Sequence, residues 1–172
     1  AVLAQTVNTV LAESYEANYY RVFSSMALRD DLQGQESYYI VEIKSLKRIL
    51  DSINEEAPIL CFVDEVLRGT NTVERISASS HILQNLSSRN VMCFAATHDI
   101  ELTHMLEQIY SNSHFSEEIM DDDILFNYVL YKGRATTRNA IKLLGIMGYS
   151  EEIISQAEQT AARFLKEGTW TL

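Results

Sequence analysis

The apolar positions of this chain fall into two rhythms. Over residues 38–53 they recur at Tyr39, Ile43, Leu46, Leu50 and Ile53. That spacing puts them on one face of a helix. Pro58 precedes a different pattern, "ILCFV" at 59–63, which is apolar without a break. A short unbroken run of this kind reads as a strand buried on both faces. Asn71 and Thr72 can cap a second helix with Glu74 in its first turn. Val73, Ile76, Leu83 and Leu86 are its expected inward positions. A second buried strand, "VMCFAA" at 91–96, then leads into "THD". Continuous apolar strands separated by a helix predict an α/β fold, with a mostly parallel sheet flanked by helices and covered on both faces.

Past residue 100 the rhythm loosens. "ILFNYVLYKG" at 124–133 alternates imperfectly after the acidic run 121–123, and reads as an edge or antiparallel strand preceded by a loop. A helix over roughly 136–144 ends at "GIMGYS", and a last helix starts near Ser150 with Glu151 and Glu152 at its positive end. Ile153, Ile154, Ala157, Ala161, Phe164 and Leu165 form its apolar stripe, and Gly168 is its stop. The two helices make a helix-turn-helix shape. With few basic residues available, the pair suits packing on protein and not the reading of DNA. The opening "AVLAQTVNTVLAESYEA" reads as part of a helix.

Composition narrows the choices. The 172 residues suit one domain, and 47% hydrophobic with 22% charged residues is globular. No apolar run approaches the ~20 residues that span a bilayer, and the N-terminus lacks the basic flank of a secretory signal. A cytoplasmic protein with no membrane partner is expected. The net charge of −10 argues against a DNA-binding surface made by this chain alone, because phosphate contacts need Lys and Arg. Cys61 and Cys93 sit inside apolar runs and read as buried free thiols, as in a reducing compartment. Two cysteines and scattered histidines give no zinc spacing. His81 reads as a surface or packing residue, and His104 and His114 as solvated. Tyr15, Tyr19 and Tyr20 read as packing residues, since acids flank them.

Open α/β sheets collect their chemistry at the carboxyl ends of the strands. Asp64 and Glu65 close the first strand, and Thr97, His98 and Asp99 close the second. Adjacent parallel strands would bring an acid pair and a histidine to one edge. That set suits nucleotide hydrolysis: one carboxylate helps hold Mg²⁺ through water, its neighbour polarises the attacking water, and the histidine senses the terminal phosphate.

"ILCFVDEVLRGTNTVERIS" followed by "VMCFAATHDIELT" resembles the Walker B and histidine-switch region of the MutS family of DNA mismatch-repair ATPases, which have ABC-type ATPase domains. Upstream, "ALRDDLQGQESYYIVEIKSLKRIL" is similar to that family's signature region, and "YKGRATTRNAIKLLGIMGYSEEIISQAEQ" to its C-terminal segment. The four matches fall in the family's order and cover nearly the whole chain. The resemblance implies that Asp64 is the Walker B aspartate supporting Mg²⁺ and Glu65 the catalytic glutamate. It makes His98 the switch histidine and Ser37 the signature serine that reaches the γ-phosphate held by the partner subunit. Arg68, Gly69 and Thr70 would lie along the dimer interface. Leu67 stands where the family usually has a small residue or Gly. Gln35 stands where the signature usually has Gly, with Gly34 one position earlier, and Glu36 and Tyr38 also depart from the mismatch-recognising members. The branch is therefore divergent.

The resemblance further implies ATP and Mg²⁺ as cofactors, a homodimer with ATP between its subunits, and mismatched or other structured DNA bound through domains outside this chain. Residues 1–132 would be a partial ABC-type ATPase domain, and 133–172 a helical dimerisation segment. A P-loop, G-x-x-x-x-G-K-[ST], cradles phosphates with its backbone N–H groups and Lys. The glycines stand at 34, 69, 133, 145, 148 and 168, and none is followed by Lys-Ser or Lys-Thr. The chain is thus expected to begin just after its P-loop, as a truncated P-loop ATPase domain. Positioning and electrostatics are nearly all of phosphoryl-transfer catalysis, so this chain alone is expected neither to hold ATP tightly nor to hydrolyse it. The residues alone also allow a non-catalytic dimerisation module built on the last two helices.

Overall fold

The structure is a computed structural model that describes residues 1–26, 37–54, 57–87, 90–120, 123–136 and 139–171. These form two compact units, Ala1–Ser111 and Asn112–Leu172. In the first unit the chain runs α1 (Val2–Val7), β1 (Arg21–Ser25), α2 (Tyr38–Asp51), β2 (Ile59–Asp64), α3 (Thr72–Leu86), β3 (Val91–Ala96) and α4 (Ile100–Met105). The apolar run at 59–63 becomes the central strand of a parallel three-stranded sheet ordered β1-β2-β3. Phe23 pairs with Cys61, Cys61 with Cys93, and Asp64 with Ala96. Centrality explains the unbroken apolar pattern: Ile59, Leu60, Cys61 and Val63 are all buried. The expected α/β fold with parallel strands and flanking helices is the observed one.

The core joins Leu46 and Ile49 of α2, Leu83 and Leu86 of α3, and Leu102 and Leu106 to Ile59, Cys61 and Val63 of β2. Two expected inward positions are exposed. Ile43 is 39% exposed and Val73 79%. On α2 the buried stripe runs Glu42, Leu46, Ile49, one step off the phase that would include Ile43. On α3 the packed face begins at Ile76 and continues through the buried Ser79, Ser80, Leu83 and Leu86. The sheet face bearing Val22, Met92 and Phe94 leaves these side chains exposed, so cover is observed on one face among the described residues. Strand β1 has no counterpart in the sequence reading. Gln5 prepares it: its side-chain amide donates to Tyr20 O and accepts from Tyr20 N, at 3.0 and 2.8 Å. Tyr15 and Tyr19 are exposed where packing was expected. Cys61 and Cys93 are free thiols, the first buried and the second half-buried.

The second unit contains an antiparallel pair, β4 (Ser113–Met120) and β5 (Asp123–Lys132), then α5 (Ala140–Ile146) and α6 (Glu151–Glu167). β4 occupies the expected loop, and β5 ends where the 133–172 segment was expected to start. Positions 121 and 122 of the acidic run, and 137 and 138 of the expected 136–144 helix, lie outside the described residues. Ser150 caps α6 by accepting from Ile153 N, and Gly168 ends it at φ 72° with its N–H on Phe164 O. Left-handed backbone at that position suits glycine. Within α6, Ile153 and Leu165 are exposed, and Phe164 stacks on Trp170 at 4.0 Å. His114, expected to be solvated, is half-buried with Nδ1 3.0 Å from Gly133 O. Among the described residues no helix is long and apolar enough to cross a membrane.

Candidate functional site

The site begins where β2 stops. Asp64 is exposed at the strand end, and Glu65 N donates to Ala96 O at 2.9 Å, which carries the sheet pairing one residue further. The chain then turns through two left-handed residues that are not glycine, Glu65 at φ 50° and Leu67 at φ 58°. Each such residue costs about 1–2 kcal/mol of backbone strain, so the surroundings must hold them. Val66 and Leu67 are 2% and 3% exposed and belong to the core. The peptide between them is fixed at both ends. Its carbonyl, Val66 O, accepts from Ser79 Oγ of α3 at 3.1 Å. Its N–H, on Leu67, donates to Glu42 Oε1 of α2 at 2.5 Å. A Cβ on Gly69 would sit 3.1 Å from Tyr39 Cβ, so glycine lets α2 approach this turn closely.

The turn aims Glu65 at β3. Its carboxylate lies between two cationic or potentially cationic groups, with Arg68 Nη1 2.8 Å from Oε2 and His98 Nε2 3.1 Å from Oε1. Glu65 is 23% exposed and His98 92%. The hydrogen bond and charge of Glu65 raise the Arg68 pKa above its ordinary value. Behind His98, Asp99 accepts both Nε and Nη2 of Arg75 from α3, at 2.9 and 2.7 Å. This two-pronged bond also raises the Arg75 pKa. Thr97 Oγ1 accepts from Asp99 N at 3.0 Å and closes the turn that displays the histidine. A cavity of about 160 Å³ lies between Glu65, Val66 and Arg68 on one side and Arg75, Thr97, His98 and Asp99 on the other. Small-molecule sites usually enclose ~300–1,000 Å³, so this one has room for a phosphate-sized group and not for a whole nucleotide.

Residues 1–165 match the family MutS domain V. The chain belongs to the MutS domain V family. Among its relatives, the DNA mismatch repair protein MutS of Pseudothermotoga lettingae is 30% identical over 165 residues, 92% of this chain and 20% of that protein. The MutS of Thermotoga petrophila is 30% identical over 152 residues, covering 87% of this chain and 19% of the relative. The MutS of Thermus thermophilus is 25% identical over 158 residues, with 91% and 19% coverage. This MutS domain V chain thus spans about a fifth of the length of the curated relatives it matches.

Of the residues expected to act together, the MutS domain V fold brings Glu65, Arg68 and His98 into contact and sets Asp64 beside them. Gly69 lies against α2, and Thr70 Oγ1 donates to Glu74 Oε2 at 3.2 Å, supporting the Asn71 cap of α3. Ser37 is the exposed N-cap residue of α2 and does not line the cavity. Gly34, Gln35 and Glu36 of the signature segment lie outside the described residues. Three contributors escaped the sequence reading: Glu42, Ser79 and Arg75. Glu42 stands three residues after Tyr39 and four before Leu46, which is stripe spacing for an acid. Arg75 places a cation in the first turn of a helix, against the helix dipole, which signals an acid nearby. Ser79 carried no signal.

Proposed function

We propose that this chain is the C-terminal part of the ATPase domain of a MutS-like protein. In the full-length protein, ATP is bound and hydrolysed at a dimer interface, and the dimer's grip on DNA changes with it, in mismatch repair or a related DNA transaction. The observation that supports this most strongly is the Glu65 carboxylate held between Arg68 and His98 at the carboxyl end of β2, beside Asp64.

The residues fit Mg²⁺ in the way a nucleotide enzyme uses it. Among the described residues no cluster of three or more His, Cys, Asp or Glu could cage a cation. Mg²⁺ needs no such cage, since one or two carboxylates, water and substrate phosphates complete its octahedron. Asp64, an exposed carboxylate, is the residue that would hold it. Bound there with ATP, Mg²⁺ supplies neutralisation of the charge developing on the phosphates.

The protein's own contribution is to place and release Glu65. A carboxylate engaged by two donors is a poor base. His98 is the partner more readily withdrawn, because its side chain is 92% exposed against 65% for Arg68, and its contact is the longer one, 3.1 Å against 2.8 Å. When His98 turns towards a terminal phosphate, Oε1 is freed to accept a proton from the attacking water. Arg68 keeps the other oxygen fixed, and Arg75 with Asp99 keeps the His98 backbone in place. Ser37 completes the partner subunit's site, and residues 133–172, with Ile153 and Leu165 exposed, contribute to dimerisation. The phosphate-gripping loop comes from sequence outside this chain, which alone holds ATP weakly. Glu65→Gln in the full-length protein should retain nucleotide and lose turnover. Unchanged steady-state hydrolysis would refute the role.

A further inference from the structure

The Val66–Leu67 peptide is the second of the two peptide units that join the left-handed residues Glu65 and Leu67. Its orientation sets ψ of Val66 and φ of Leu67, and so the path by which the chain leaves Glu65 for the core. Two buried polar side chains from different helices hold it: Ser79, 0% exposed, on the carbonyl and Glu42, 2% exposed, on the N–H. Neither touches the cavity. Glu42 is an acid in a core, and its carboxylate faces two successive backbone N–H groups of the turn, those of Leu67 and Arg68. A buried carboxyl costs free energy to desolvate, so apolar packing alone does not account for it.

Resting on the reading of Glu65 as general base, we propose that Glu42 is a positioning residue for Glu65, clamping the Val66–Leu67 peptide so that the turn of Ser37's own helix and the catalytic turn move as one piece. Ser37 stands at the N-cap position of α2, Tyr39 packs on Gly69, and Glu42 accepts from Leu67 N, all within the first two turns of that helix. If Ser37 meets the partner's nucleotide, as proposed above, a displacement there is passed to Glu65 through α2. The clamp is a geometric link between the two composite sites of a dimer, the kind of shared element that coupling requires.

The test uses the full-length dimer and reads kcat and KM for ATP separately. Glu42→Ala should lower kcat about 100-fold, the loss that a misplacement of roughly 1 Å produces, with KM little changed. Glu42→Gln keeps an acceptor for Leu67 N and should retain most of the turnover. If Glu42→Ala does not fold, Ser79→Ala reads the same clamp from its other end and should lower kcat in the same sense. Wild-type kcat in Glu42→Ala or in Ser79→Ala, alongside an inactive Glu65→Gln, would overturn the proposal. So would equal losses in Glu42→Ala and Glu42→Gln. An active Glu65→Gln would instead sink the assignment of the base.

Discussion

Leu67 is asked to satisfy two demands that ordinarily conflict. Its side chain is 3% exposed in the core, and its backbone sits at φ 58°. Truncation to Ala removes the buried side chain, worth about 2–5 kcal/mol, and leaves the left-handed strain of about 1–2 kcal/mol in place. Truncation to Gly loses the same contacts but removes that strain, at an entropic cost of about 0.5–1 kcal/mol. Both variants should be less stable than the wild type, and Leu67→Gly should exceed Leu67→Ala by roughly 1 kcal/mol. In a regular helix or strand the order is the reverse. With a urea m-value of about 1–3 kcal/mol/M, the difference separates the two midpoints by roughly 0.3–1 M. Far-UV circular dichroism of this chain is the right probe, since Trp170 belongs to the second unit and Leu67 to the first. Equal midpoints, or Ala above Gly, would show that the turn is not held in the left-handed conformation.

Other outcomes follow from the buried groups. Burial raises the Glu42 carboxyl pKa above its ordinary 4.5, opposed first by its hydrogen bond from Leu67 N. The native state therefore binds more protons than the unfolded one across that window, and this group's contribution to stability falls as pH rises through it. Glu42→Gln should gain stability relative to wild type from about pH 4.5 towards neutrality, and a constant offset in denaturation midpoints would contradict burial as the cause. Arg75→Ala removes a two-pronged bond between side chains 22% and 17% exposed. The loss should lie between the surface and buried limits, about 1–3 kcal/mol. Arg75→Lys should recover only part of it because the fork is lost, and unchanged melting in both variants would contradict the geometry.

The regular part of this fold was legible because its residues obey single rules. Strands β2 and β3 follow from unbroken apolar runs, and Asn71 with Glu74 and Ser150 with Gly168 mark helix ends by cap chemistry. Strand β1 was illegible because "RVFSS" carries only two large apolar residues at a sheet edge, and β4 because "SHFSEEIM" is mostly polar. The candidate site divided in the same way. Asp64, Glu65 and His98 were legible as chemistry at strand ends. The supports were not, because they are tertiary: Glu42 reads as a solvated acid until its helix phase is fixed, and Ser79 is unremarkable until its hydroxyl meets Val66 O. The left-handed turn was hidden too, since no glycine announces Glu65 or Leu67.

The account stands on Glu65. Steady-state turnover of ATP by the full-length protein, measured beside nucleotide retention, tests it most directly. For Glu65→Gln the account predicts that ATP and Mg²⁺ still bind and that kcat falls by roughly 10²–10⁴, the usual contribution of a positioned general base. A Glu65→Gln protein that binds ATP and turns it over at the wild-type rate contradicts the account.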